Sequence, residues 1–495
     1  MEKTLLILEV SQKQSYIFSR KKLRENVERS AIIQYVTSSA FLRDAAEDLY
    51  SEPENLVYAG GGHTVLQFED ERQAVSFASR VTEQAMRRFD GLELFAKKMK
   101  YDSSTTPEEN LKRLSGELEK KKALRTSSFR RTSFGVEVID AETLRPEPLW
   151  EKENLSFEGI LPPDGFSFPT QFEELAGEDN FLAVVHIDGN AMGNRVKNIT
   201  SDPGQWEDCC KRMRRFSEGV QQDFESALLC VEEALIEQGY TADKMLPIRP
   251  VILAGDDVCF VTQGSLGLEC ARVFLEALSK RINVQDGKAY AACAGVAMVH
   301  VKYPFHAAYD LAEELCSNAK RFGAELDPEG RISAMDWHLE FGQLRGHLSD
   351  LRRDYRTEDG GQLELRPVVV LEPESCQEST GLRTYAFFRC LCRAMKGEYG
   401  KTARGKIKGL RTACKQGELE SRFFLHDQQV SELLYHGLDA AYHDEMKRWE
   451  KYREALWHGE KLEKEIFHDF GGVKRCLFFD AIELIDHFDV LEVRK

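Results

Sequence analysis

Three aspartates could do chemistry together. Asp188 lies in HIDGNAMG (186–193), and Asp256 and Asp257 close AGDD (254–257). Apolar runs lead up to each place, FLAVVHI before Asp188, and PVILA and VCFVT on either side of Gly255-Asp256-Asp257. That pattern predicts one acid at a strand end and two more at a hairpin tip, which meet when the strands are neighbours in a sheet. Clustered carboxylates of this kind suit Mg2+ or Mn2+, hard cations that take oxygen ligands and share them with substrate phosphates. Two such ions can activate a ribose hydroxyl and stabilise the leaving pyrophosphate during in-line attack on an α-phosphate. Asp188, Asp256 and Asp257 are therefore the expected catalytic acids. Gly255 suits a tight turn that a nucleotide must approach closely. Lys320, near the end of a helical stretch, is a mobile cation for a triphosphate. Taken singly, each has an ordinary reading, an acidic turn for the aspartates and a solvated helix end for the lysine.

The elements that position these residues repeat. In the first copy a strand (4–10) leads to a helical stretch (21–50), then a hairpin with arms 56–59 and 64–68 around Gly60-Gly61-Gly62-His63. A helix (71–89) and a strand (133–139) follow. The second copy has a strand (181–187), a long helix (206–238), hairpin arms 250–254 and 258–262, a helix (266–282), a strand (289–299) and a helix (307–322). This βαββαβ order is the ferredoxin-like arrangement of polymerase and cyclase palms. The expected fold is α+β, with a first, degenerate palm at 1–145, a linker rich in Pro, Gly and acids at 146–180, a second palm at 181–340 and a mainly helical C-terminal domain at 341–495. In the first palm Gly60, Gly61 and Gly62 permit close nucleotide contact, but His63 stands where aspartates would be needed. The strand end offers Glu9 as a weaker ligand. The first palm is expected to hold a second nucleotide rather than to catalyse.

Composition narrows the partners. The 495 residues carry 67 Lys+Arg against 83 Asp+Glu, a net charge of -16, which disfavours coating a phosphate backbone wholesale. Two segments run against that charge. Residues 97–131 hold eleven Lys/Arg against five Asp/Glu, and residues 393–415 hold eight against one. They read as solvated helix faces or as surfaces for RNA or a polyphosphate product. The twelve cysteines show no zinc spacing and read as buried, reduced thiols. No apolar run reaches the ~20 residues a spanning helix needs, and no leader pattern opens the chain, so a cytoplasmic protein without membrane contact is expected.

VSQKQSYIFSRKKLRENVERSAII (10–33) resembles the opening palm motif of the large polymerase-cyclase subunit of type III CRISPR effectors. HIDGNAMG and AGDD resemble that family's catalytic motifs, YAGGGHTVLQF (58–68) its degenerate hairpin, and AYDLAEELCSNAKRF (308–322) its closing helix with Lys320 at the family's lysine. The resemblance implies paired palms, related to GGDEF cyclases, that convert ATP into cyclic oligoadenylates in antiviral defence. It implies Asp188, Ile187, Asp256 and Asp257 as the metal site and Asn190 among the nucleotide-binding residues. Effector subunits or RNA would dock on the basic segments and helical domain, and a downstream effector would sense the product. The sequence departs from the pattern at Ala254, where the family has glycine, and at Asn190, where it has a second acid. It opens directly on the first palm, without the family's HD nuclease domain, and lacks the zinc cysteines. Two rivals remain open, a non-catalytic scaffold that binds nucleotide or RNA, and a template-directed polymerase.

Overall fold

The computed structural model describes residues 3–124, 159–177, 179–201, 206–342, 347–396, 398–430 and 466–492. In the first palm, β1 (Thr4–Ser11) leads through α1 (Lys13–Ile17), α2 (Leu23–Val36) and α3 (Ser39–Ala46) to a hairpin of β2 (Leu56–Gly60) and β3 (His63–Phe68). Then come α4 (Glu71–Arg88), β4 (Glu93–Lys100) and α5 (Pro107–Leu124). The strands form one antiparallel sheet in the order β2-β3-β1-β4. The second palm comprises β5 (Phe181–Gly189), α6 (Met192–Thr200), α7 (Trp206–Glu237), β6 (Ile248–Ala254), β7 (Asp257–Gln263), α8 (Gly267–Ser279), β8 (Ala292–His300), α9 (Phe305–Leu326) and β9 (Ser333–Glu340). After α10 (Leu348–Leu351), β10 (Val368–Leu371) joins its sheet, in the order β10-β9-β8-β5-β7-β6. The remainder is mainly helical: α11 (Gln377–Thr380), α12 (Tyr385–Lys396), α13 (Glu398–Gln416) and α14 (Glu418–Asp427), then a small hairpin of β11 (Phe467–Asp469) and β12 (Lys474–Cys476), and α15 (Phe479–Glu483).

Several expected elements shift. The last described strand of the first sheet is β4, not 133–139, a segment outside the described residues. Its ELFAKKMK sequence hides the strand period, because an edge strand tolerates lysines that a central one does not. The single helix expected over 21–50 divides at Thr37-Ser38, where the Ser38 hydroxyl accepts from the Phe41 N–H and caps α3. α6 and β9 had no expected counterpart. β9 pairs in parallel with β8 and is buried throughout, and its Asp336, His338 and Glu340 mask its apolar character.

β5 explains how the two palms become one body. Ala183, Val185 and Ile187 enter a core shared with α7, α8 and the C-terminal helices. Leu182 and Val184 enter another, shared with α9 and with Leu6, Leu8, Val10 and Ile33 of the first palm. A strand covered on both faces is apolar without a break until it reaches the site. Gly295 of β8 sets the height of α9 above the sheet, since a Cβ there would lie 2.0 Å from the Ala312 carbonyl oxygen.

Buried ion pairs tie the helical region to the second palm. Glu269 of α8, fully buried, accepts from Arg272, Arg389, the Tyr385 hydroxyl and the Leu491 N–H. Arg366 is equally buried between Asp480 and Glu483, at 3.0 and 2.9 Å. The basic segments face acids of the same chain. Lys97 pairs with Glu117, Lys98 with Glu71, Lys396 with Asp489, and Arg404 and Lys408 with Asp486. All twelve cysteines are free and all but Cys230 are buried. Among the described residues no helix is long and apolar enough to cross a membrane.

Glu232 of α7 is fully buried and neither carboxyl oxygen has a hydrogen-bond partner. Burial pushes its pKa from 4.5 up to about 7. The folded state then binds more protons than the unfolded one between those values. The Glu232 contribution is fully present below pH 4.5 and is lost as the pH rises through about 7. Urea unfolding at pH 4.5 and 8 should show the parent losing about 3 kcal/mol that Glu232→Gln retains.

Candidate active site

β5 lies between β7 and β8, and its register sets Asp188 directly opposite Asp257. The turn after β6 puts Asp256 beside them, with Gly255 at φ +69 as its pivot. Gly189 leaves room for this, since a Cβ there would sit 2.9 Å from that of Asp256. Like charges placed opposite one another on neighbouring strands repel. A lysine and a histidine answer them. Lys320 of α9 donates to Asp188 Oδ2 at 2.5 Å and to the Gly189 carbonyl at 2.8 Å. His186 Nε2 lies 3.1 Å from Asp257 Oδ1, and despite its burial the bond and charge of Asp257 raise its pKa. Among the described residues Asp256 has no such partner, and burial, with Asp188 adding to it, pushes its pKa up to about 6.

The other expected residues fall into two groups. Ile187 buries its side chain completely, so only its main chain can serve a ligand. Asn190 donates its amide to the Ile332 carbonyl at 2.7 Å and thereby anchors the loop to the entry of β9. Gly60 packs on α7, where a Cβ would meet the Ser217 hydroxyl at 2.8 Å. Gly61 and Gly62, at φ +59 and +73, form the tip of the first hairpin. That tip meets the second one: a Cβ on Gly255 would lie 3.9 Å from the Gly61 nitrogen. Helix α7 clamps both hairpins. Ser217 donates to the Ala59 carbonyl at 2.7 Å, while Gln221 accepts from the Gly255 N–H at 2.7 Å and donates to the Leu253 carbonyl at 3.2 Å.

Between the palms lies a cavity of about 650 Å³, lined by Glu9, Lys13, Gly61, Lys122, Asp257 and Tyr309 among others. That volume suits a small-molecule ligand. Lys13 had no expected role, and Lys122 only a place in the basic segment 97–131. Lys122 repeats Lys320, because each stands fifteen residues after the first residue of its helix. Lys122 bonds Glu9 at 2.8 Å as Lys320 bonds Asp188. Glu9 in turn lies opposite His63, as Asp188 lies opposite Asp257. Gln12 and Ala191, both left-handed at φ 49 and 54, open α1 and α6.

Residues 181–325 match the family described as Cas10/Cmr2, second palm domain. The second domain is a Cas10/Cmr2 palm. No curated protein matches the chain. Among solved structures, the Csm1-Csm4 cassette in complex with pppApA aligns at 14% identity over 98% of this chain and 69% of that one, with a TM-score of 0.56. The cassette in complex with cA4 aligns at 15% over 98% and 69%, with a TM-score of 0.55. At these identities the likeness is one of fold, and it extends beyond the Cas10/Cmr2 palm over almost the whole chain. The apo Csm1-Csm4 cassette aligns at 16% over 67% of this chain, with a TM-score of 0.48, and the chain spans about half, 54%, of that one.

The donor set of the Cas10/Cmr2 palm suits a hard divalent cation. Three carboxylates crowd one turn, and burial, with Asp188 adding to it, disfavours the charged form of Asp256 that a cation would stabilise. Among the described residues no three His, Cys, Asp or Glu side chains are arranged as a ready-made metal cluster. Lys320 bonds Asp188 and His186 bonds Asp257 instead.

Proposed function

We propose that the chain is a metal-dependent nucleotidyltransferase that joins and cyclises nucleoside triphosphates, ATP foremost, into a cyclic oligonucleotide messenger, releasing pyrophosphate, in the cytoplasm as part of antiviral defence. The observation that carries this reading is the meeting of Asp188, Asp256 and Asp257 beside a cavity where two palm hairpins touch tip to tip. Solved proteins of this fold hold pppApA and cA4, which supports a triphosphate substrate and a cyclic product.

Asp188, Asp256 and Asp257, with the main chain of Ile187, would hold Mg2+ or Mn2+. When bound, the cations supply charge neutralisation at the attacking hydroxyl and at the departing pyrophosphate. Lys320 exchanges Asp188 for a phosphate oxygen, its three N–H donors serving either partner. Gly255, lacking a Cβ, lets the nucleotide approach the turn. The second nucleotide occupies the cavity between the palms, with its reactive hydroxyl facing the acids of the second palm. Attack forms one bond to the α-phosphorus and breaks the bond to the pyrophosphate oxygen; a last intramolecular attack closes the ring.

Incubating the protein with each NTP and with mixtures, plus Mg2+ or Mn2+, and reading the small molecules by mass spectrometry tests this. A cyclic product establishes the reading and its base. Nucleotide binding without turnover, with and without target RNA, would favour the scaffold, a reading that Ala254 and the committed amide of Asn190 keep in view. Primer extension would favour the polymerase.

A further inference from the structure

Resting on the nucleotide reading above, we propose that the ammonium of Lys13 takes, in the first palm, the place that a divalent cation takes in the second. The first palm is then a nucleoside-triphosphate site that needs no metal. The repeat supplies the argument. Pairing Glu9 with His63 and Asp188 with Asp257 makes Gly62 the counterpart of Asp256. A Cβ on Gly62 would lie 2.8 Å from Lys13 Cε and 3.1 Å from its Nζ. The lysine therefore fills the space into which an aspartate would project. Its Nζ donates to the Gly61 carbonyl at the hairpin tip and faces the cavity shared with Asp257.

Charge points the same way. The second palm sets three carboxylates against one lysine, so an anionic phosphate needs a cation to precede it. At the equivalent strand end the first palm sets Glu9 against Lys13 and Lys122. Glu119 also bonds Lys122, but from the solvent side with its side chain 66% exposed. His63 adds no charge near neutral pH, since burial and Lys13 push its pKa down to about 4. The left-handed Gln12 immediately before Lys13 is a conformation strained for a non-glycine residue and of the kind that clusters at ligand sites.

Calorimetric titration of the full chain with ATP, and in parallel with GTP, tests the assignment in EDTA and in Mg2+. One site is expected in EDTA and two in Mg2+. Lys13→Met should weaken the EDTA-resistant site at least tenfold and Lys13→Arg should restore most of it, both with parental circular dichroism. Two sites that both vanish in EDTA would overturn the proposal and leave the nucleotidyltransferase standing. So would a single site that vanishes in EDTA, or EDTA-resistant binding indifferent to Lys13→Met. Absence of binding in either buffer would overturn both readings.

Discussion

Asp256→Ala/Asp257→Ala protein, supplied with ATP and Mn2+, should release no pyrophosphate and form no oligonucleotide, a loss of about a thousandfold or more relative to the parent. The magnitude follows from what is removed. Oriented charge at a transferring phosphoryl group lowers the barrier by several kcal/mol, and each 1.4 kcal/mol is tenfold in rate. The structure adds a second expectation that a merely structural role would not meet. Asp256 is disfavoured as a charge by its burial and by Asp188, so Asp256→Asn should abolish turnover while melting no lower than the parent. Pyrophosphate release and a thermal scan on the same samples decide it. Loss of activity together with loss of fold would return the two aspartates to the role of turn residues. Undiminished turnover would remove the proposed site altogether.

Lys320→Met should cost about a hundredfold in kcat/KM, the scale of one hydrogen bond to a charged group made more strongly at the transition state. Its stability effect should be small. The Lys320–Asp188 pair is exposed at 30% and 39%, and an ion pair so accessible to water contributes at most about 1 kcal/mol. The phosphate role therefore predicts a large kinetic loss at nearly constant melting temperature. Lys320→Arg should recover little, because the guanidinium fork cannot reproduce the single-point contacts of Nζ with Asp188 Oδ2 and the Gly189 carbonyl. A Lys320→Met enzyme with parental kinetics would make the lysine a counter-ion for Asp188 and nothing more.

Much of the fold was legible because local pattern and tertiary role agree where the site is built. β5 reads apolar up to His186, since both of its faces are covered, and Gly255 marks a turn that requires a left-handed residue. The duplicated βαββαβ order was readable from element sequence alone. What escaped was set by partners distant in the chain. β4 is lysine-rich because it is an edge, and β9 carries Asp336 and His338 because neighbouring elements enclose them; neither condition shows in a local window. At the site the three acids and Lys320 stood out, and Lys13 and Lys122 did not. Their role depends on facing a hairpin 48 residues or more away, and a lysine among lysines gives no signal until the two palms are superposed element by element.

The contact between the Gly61 and Gly255 tips has a kinetic consequence. Two separate palms must find each other, so their activity rises faster than linearly with concentration and fades on dilution. Here one polypeptide carries both tips, and β5 belongs at once to the interiors of both halves. The meeting of the two half-sites is unimolecular, at an effective concentration that dilution does not change. Specific activity should accordingly stay flat as the protein is thinned. Turnover by such a chain then does not depend on how many copies of it are present.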